Sequence, residues 1–252
     1  MRDSVYGLAL SVSTLIATTF GLPASGRAQE VKWIELTGSM GFDAWKLPHG
    51  TWFVAGNAKT DPKNAKKLVG ESGSGVIING PIGKTRNLVS KEEFGDIESH
   101  FEFLIPEGSN AGVKFQGLYE VQILDSSKKK ELSGEDCGGI YPRAELLPKY
   151  HHTDHGYPPK VNACKPPGEW QTLDVTFLAP RFDRKGKKIA NAKFVKVLLN
   201  GVVVQDDVEV SSPTGHYWRL PETPRGTIFL QADHGPVAFR NIRVRPLQLP
   251  SN

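Results

Sequence analysis

The chain has 252 residues, with 31 Lys and Arg against 27 Asp and Glu, a formal charge of +4. Charge this small and dispersed excludes a nucleic-acid binder held by a basic face. The two short basic runs, Lys128-Lys129-Lys130 and Arg184–Lys188, are expected to be solvated turns. A hydrophobic fraction of 38% on this length is enough for one substantial core.

The amino terminus differs from the rest. One cation, Arg2, precedes an uncharged stretch from Val5 to Pro23, with apolar clusters at Leu8–Leu10 and Leu15–Ala17. Gly26-Arg27-Ala28 then places small residues at the two positions a signal peptidase reads. This is the pattern of a secretory signal, residues 1–28, cleaved near Ala28, and it predicts a secreted or periplasmic protein. The apolar run is too short and too diluted by Ser and Thr to cross a bilayer, so no stable membrane span is expected in the mature form. Cleavage removes Arg2, Arg27 and Asp3, taking the charge from +4 to +3. Residues 29–252 are expected to form a single domain.

From Glu98 onward the chain alternates with period two between Gly- and Pro-rich turns, the signature of strands. Phe101, Phe103 and Ile105 share one face, and Glu98, His100 and Glu102 the other. A turn at Pro106–Asn110 leads into Gly112–Gln116, and Leu118–Leu124 follows to complete a meander. In Trp170–Phe177, Leu173, Val175 and Phe177 point one way. Phe194–Leu199 and Val202–Gln205 flank Asn200-Gly201, a pair that tolerates the positive φ angles of a tight hairpin turn. Gly226–Gln231 and Val237–Val244 supply the last strands. The fold class is all-β, a sandwich of two antiparallel sheets. The long segment Ser126–Pro167 lacks such alternation, and a loop of that length in a compact domain is usually functional.

Two cysteines survive cleavage, Cys137 and Cys164. In an oxidising compartment a disulfide is the simplest expectation, and closing that loop stabilises by roughly 3 kcal/mol in the chain-entropy model. The alternative is a metal site using His151, His152, Asp154 and His155 inside the same loop. Zinc sites usually draw ligands from separated segments, which this cluster does not.

On the strand Tyr119–Leu124, the residues Tyr119, Val121 and Ile123 form a core face, leaving Glu120 and Gln122 on the opposite one. Asp125 joins Glu120 only if a bulge intervenes. Trp45 and Trp52 are expected in the core, Trp170 either in the core or at a binding face, and Tyr157 and Trp218 in loops.

A series of motifs along nearly the whole mature chain resembles the 3-keto-disaccharide hydrolase family. They include Gly41–Trp45, Glu93–Asp96, Phe101–Phe103, Gly108–Val113 and Tyr119–Asp125, then Gly139–Tyr141 and Lys165–Trp170. Leu199–Val202, Leu230-Gln231, His234-Gly235 and Val237–Ile242 follow in order. The resemblance implies a concanavalin-like jelly roll that is usually exported. It implies action on oligosaccharides or glycosides carrying a ring ketone. The His151–His155 loop, Lys114 and Gln116 depart from the family pattern.

A 3-keto sugar is cleaved by removing the acidified proton next to the ketone, expelling the glycosidic oxygen and adding water. That chemistry needs a base, a group holding the enolate oxygen, and an acid for the leaving group. Glu120 or Asp125 is the candidate base. Lys114, Arg240 or a divalent cation (calcium or magnesium) is expected at the enolate, and His234 is the expected proton donor. Gln122, Gln231 and Tyr141 are expected to bind substrate, Tyr141 by packing on a pyranose face. Two other functions are open. One is a non-catalytic carbohydrate-binding β-sandwich. The other is an endo-glycosidase, because Glu120-x-Gln122-x-x-Asp125 resembles the Glu-x-Asp-x-x-Glu pattern of concanavalin-like endoglucanases, with Gln in place of the central Asp.

Overall fold

A computed structural model of the chain describes Met1 and residues 31–37 and 41–247; the remainder of the expected signal peptide lies outside the described residues. The strands in chain order are β1 (Ile34–Glu35), β2 (Phe53–Asp61), β3 (Asn64–Ile78), β4 (Leu88–Phe94) and β5 (Ile97–Leu104). Then come β6 (Asn110–Phe115), β7 (Tyr119–Leu124), β8 (Ala144–Glu145), β9 (His151–His152), β10 (Gln171–Leu178) and β11 (Arg181–Phe182). The last are β12 (Lys188–Ala190), β13 (Ala192–Leu199), β14 (Val202–Val210), β15 (Gly226–Gln231) and β16 (Ala238–Pro246).

Eight strands make the back sheet in the order β14-β13-β10-β5-β16-β3-β2, with β1 also on β16; four make the front sheet, β4-β15-β6-β7. Neighbours pair antiparallel in both, so the molecule is an all-β jelly-roll sandwich. The expected strands are all present, and the hairpin turn forms with φ of 54° at Asn200 and 78° at Gly201. The long hairpin of β2 and β3 was not foreseen, nor was β4. Gly70, Gly73 and Gly75 interrupt the alternation of β3, and Lys and Glu replace the apolar residues that alternation relies on.

Between the sheets, aromatic side chains of alternating positions interlock. Phe115 of β6 meets Phe101 of β5 edge-on, with centroids 6.3 Å apart, and Phe194 of β13 at 5.5 Å. Phe177 of β10 lies 5.2 Å from both Phe115 and Phe194. Offset and edge-on rings of this kind add to the stabilisation from burial itself. Trp45 and Trp52 are buried, as expected. Among the described residues, no helix is long and apolar enough to cross a membrane.

The strand that matters most for the site is β7. Its core face is Tyr119, Val121 and Ile123, yet Glu120 and Gln122 on the other face are buried as well. The long loop is the reason. Gln122 exchanges backbone hydrogen bonds with the loop, its N–H donating to Gly139 O and its carbonyl accepting from Gly138 N, both at 2.9 Å. Tyr141 N donates to Glu120 O at 3.1 Å. The loop thus covers the free edge of the front sheet and walls in its outer face.

One expectation about this loop is corrected. Cys137 and Cys164 are free thiols rather than a disulfide. They face each other closely enough to hydrogen-bond, which holds Cys137 high and brings Cys164 down to about 7. The His151–His155 segment builds no metal site. His151 and His152 pair with Ala144 and Glu145 in a small hairpin, and Asp154 is taken by the side chain and backbone of Arg143 at 2.6 and 2.9 Å.

Candidate functional site

A cavity of about 340 Å³ lies on the outer face of the front sheet, at the lower end of the ~300–1,000 Å³ range of ligand pockets. Its floor is the register of three strands. Lys114 on β6 stands opposite Glu120 on β7 and Phe229 on β15, while Gly112 stands opposite Gln122 and Gln231. Period-two alternation therefore puts Lys114, Glu120, Gln122, Phe229 and Gln231 on one face. The loop after β15 adds Asp233 and His234, and the two covering segments add Tyr141, Tyr150, His216 and Tyr217.

The central feature is a buried ion pair. Lys114 Nζ lies 3.1 Å from Glu120 Oε2, with side-chain exposures of 6% and 2%. The ammonium is also held over the rings of Tyr217 and Phe229, at 4.7 and 5.4 Å from their centroids. Glu120 Oε1, in contrast, is buried with no hydrogen-bond partner. Burial pushes the Glu120 carboxyl above the usual carboxylate range, and Lys114 offsets this only in part. The carboxylate fits because Gly112 sits beneath it. A Cβ at Gly112 would come 2.2 Å from Glu120 Oε1.

Two amides share this unsatisfied hydrogen-bonding capacity. Gln122 Nε2 donates to Asn110 Oδ1 at 3.3 Å, leaving Gln122 Oε1 unpartnered, and Gln231 Oε1 is unpartnered too. Three buried acceptor oxygens without donors are costly unless a ligand satisfies them. Sugar hydroxyls are suitable donors. The carboxylate among these three groups, Glu120, is paired with an ammonium 3.1 Å away. No group of three or more His, Cys, Asp or Glu that could hold a metal exists among the described residues.

His234 Nδ1 pairs with Asp233 Oδ1 at 2.6 Å. This hydrogen bond raises the imidazole above its ordinary value and lowers the Asp233 carboxyl. His216, on the opposite segment, is lowered by burial and by the Lys114 charge. The two imidazoles of the cavity are thus shifted in opposite directions.

Of the residues expected from sequence, Lys114, Glu120, Gln122, Tyr141, Gln231 and His234 come together here. Asp125 and Arg240 do not. Asp125 keeps the opposite parity, accepts from Gly108 N at 2.9 Å, and lines a separate depression with Thr60 and Lys129. Arg240 lies on the outer face of the back sheet, paired with Glu102 at 2.6 Å and stacked 4.0 Å over Trp170. That contact also places Trp170, away from the cavity. Tyr157 donates to Glu209 O at 3.0 Å, and Trp218 is stacked by Arg219 at 4.4 Å. Sequence reasoning missed Asp233, His216, Tyr217 and Phe229. Only Asp233 carried a signal, as the neighbour of a histidine already singled out.

The model of the 3-keto-alpha-glucoside-1,2-lyase-like domain matches residues 32–245. A candidate glycosyl hydrolase from Parabacteroides distasonis ATCC 8503 shares the fold with a TM-score of 0.59 and 23% identity, covering 85% of this chain and 84% of that one. A second candidate glycosyl hydrolase from the same organism gives a TM-score of 0.51 at 16% identity, covering 86% and 94%. No curated protein matches the chain.

Proposed function

Because the chain belongs to the 3-keto-alpha-glucoside-1,2-lyase-like family, we propose that it cleaves 3-keto-disaccharides or 3-keto-glycosides by elimination followed by hydration. The family makes the chain a carbohydrate-active, hydrolase- or lyase-like β-sandwich. Support for the elimination comes from the unpartnered, buried Oε1 of Glu120 beside an ammonium.

The ketone at C3 acidifies the proton on C2. Glu120 Oε1 takes that proton, and the electron pair moves onto the ketone oxygen to give an enolate. Desolvation makes Glu120 a stronger base than a solvated carboxylate. As Glu120 becomes neutral, Lys114 is left without its counter-charge and is free to pair with the enolate oxygen. The negative charge moves from carboxylate to substrate, and one ammonium serves both. His234, raised above its ordinary value by its hydrogen bond to Asp233, lines the same cavity, and in its charged form it adds a second positive group in place of the proton donation expected from sequence. The pair then collapses to a C1=C2 double bond and the glycosidic oxygen departs from C1; water adds its oxygen at C1 and a solvent proton adds at C2, while Glu120 gives up to solvent the proton it took.

Gln122 and Gln231 accept hydrogen bonds from ring hydroxyls, and Phe229 and Tyr217 offer apolar faces. We place the reaction outside the cytoplasm, on the signal-like residues 1–28.

The test uses a 3-keto-glucoside deuterated at C2. Wild type is expected to release aglycone and lose the deuterium to solvent. Glu120→Gln is expected to lose at least about 100-fold in kcat/KM. Cleavage with full retention of deuterium overturns the elimination.

A further inference from the structure

The cavity has a second chain of polar groups that the steps above do not use. Tyr141 lines the cavity, and its hydroxyl lies 3.2 Å from His152 Nε2 and 3.0 Å from the Tyr150 hydroxyl. The other ring nitrogen of His152 lies 3.6 Å from Glu135 Oε2. Exposure rises along the chain, from the cavity wall through His152 at 24% to Glu135 at 47%. The path connects cavity to solvent. It is assembled from segments far apart on the loop: the small hairpin of β8 and β9 carries His152 back against Tyr141.

We propose that Tyr141 is the proton donor to the departing glycosidic oxygen, and that His152, backed by Glu135, is a positioning residue that reloads it. The proposal rests on the elimination reading and names the acid that reading still lacks. As the enolate pair forms the C1=C2 bond, the C1–O bond breaks and the Tyr141 proton ends on the released alcohol. The phenolate then takes the proton on His152 Nε2 as a proton from solvent, passed along Glu135, arrives at the other ring nitrogen, so the ring ends the cycle as it began.

The setting suits this role. Burial and the Tyr150 hydroxyl hold Tyr141 protonated well beyond neutral pH, so it enters each cycle loaded. An aliphatic alkoxide is basic enough to take a phenol proton. His234 is committed to Asp233, whereas Tyr141 has its own supply.

The experiment compares methyl 3-ketoglucoside, whose alkoxide needs a proton, with 4-nitrophenyl 3-ketoglucoside, whose phenolate leaves without one. Tyr141→Phe is expected to lower kcat/KM at least about 100-fold for the methyl substrate and less than about five-fold for the nitrophenyl one. His152→Ala is expected to show the same split in weaker form, with KM little changed. Equal losses on both substrates, or an unaffected methyl substrate, overturn the assignment. A wild-type protein inert toward both removes the elimination reading and this role with it, a result distinct from equal losses in the variant.

Discussion

Gly112 shows how a residue without a side chain shapes the chemistry. Its missing Cβ is the space Glu120 Oε1 occupies, at 2.2 Å from where that atom would lie. Gly112→Ala is expected to fold and to displace the carboxylate, lowering kcat/KM about 100-fold, since misplacing a reacting group by about an ångström has that effect. Steady-state kinetics together with a thermal melt separate this from unfolding. The charged residues predict a pH profile. Glu120 is raised by burial, so the acid limb of kcat/KM should lie above the ordinary glutamate value of about 4.3. His234 is raised by Asp233, so the alkaline limb should lie above about 6.5, and Asp233→Asn should move that limb down. For stability the signs follow the same pair. The Asp233–His234 contribution is present between about 3.9 and 6.5. It is lost as pH rises through the raised His234 value or falls through the lowered Asp233 value. Glu120 and Gln122 were legible in the sequence because alternation alone separates them from the core. Gly112, Tyr217 and Phe229 were not, because nothing local distinguishes a glycine or aromatic that faces a cavity from one that faces a core.

At the scale of elements, β6 joins core to site. Val113 and Phe115 point inward, and Gly112 and Lys114 point to the cavity. Phe115→Ala removes the ring that touches Phe101, Phe177 and Phe194 and is expected to cost about 3–5 kcal/mol. Urea unfolding should show a lower midpoint with an unchanged slope; a loss under 1 kcal/mol would mean the aromatic cluster repacks. Strands with clean alternation, β5, β7 and β10, were readable. The β2–β3 hairpin was not, because its backbone ladder is continuous while its side chains are glycine, serine and lysine for much of β3. Asp125 was misjudged on the possibility of a bulge. β6 and β7 stay in unbroken register to Leu124, so parity held and the carboxylate turned away.

For the molecule as a whole, the site depends on sheet order. β15 lies between β4 and β6, which carries Gln231, Asp233 and His234 across more than a hundred residues of sequence to Lys114 and Glu120. Sequence spacing gives no hint of that insertion. It did suggest that the last strands contribute, but Arg240 sits on the other sheet, where Glu102 and Trp170 occupy it.

The ion pair on the cavity floor has one more consequence. Lys114 and Glu120 stand 3.1 Å apart with opposite charges, so the fields of this buried pair largely cancel at the distance of an incoming molecule. A neutral sugar is then neither drawn in nor repelled from afar, and encounter is governed by diffusion and shape rather than by ionic strength. In the elimination proposed above, proton transfer moves a negative charge from carboxylate to substrate without changing the total, so the long-range field stays the same through that step.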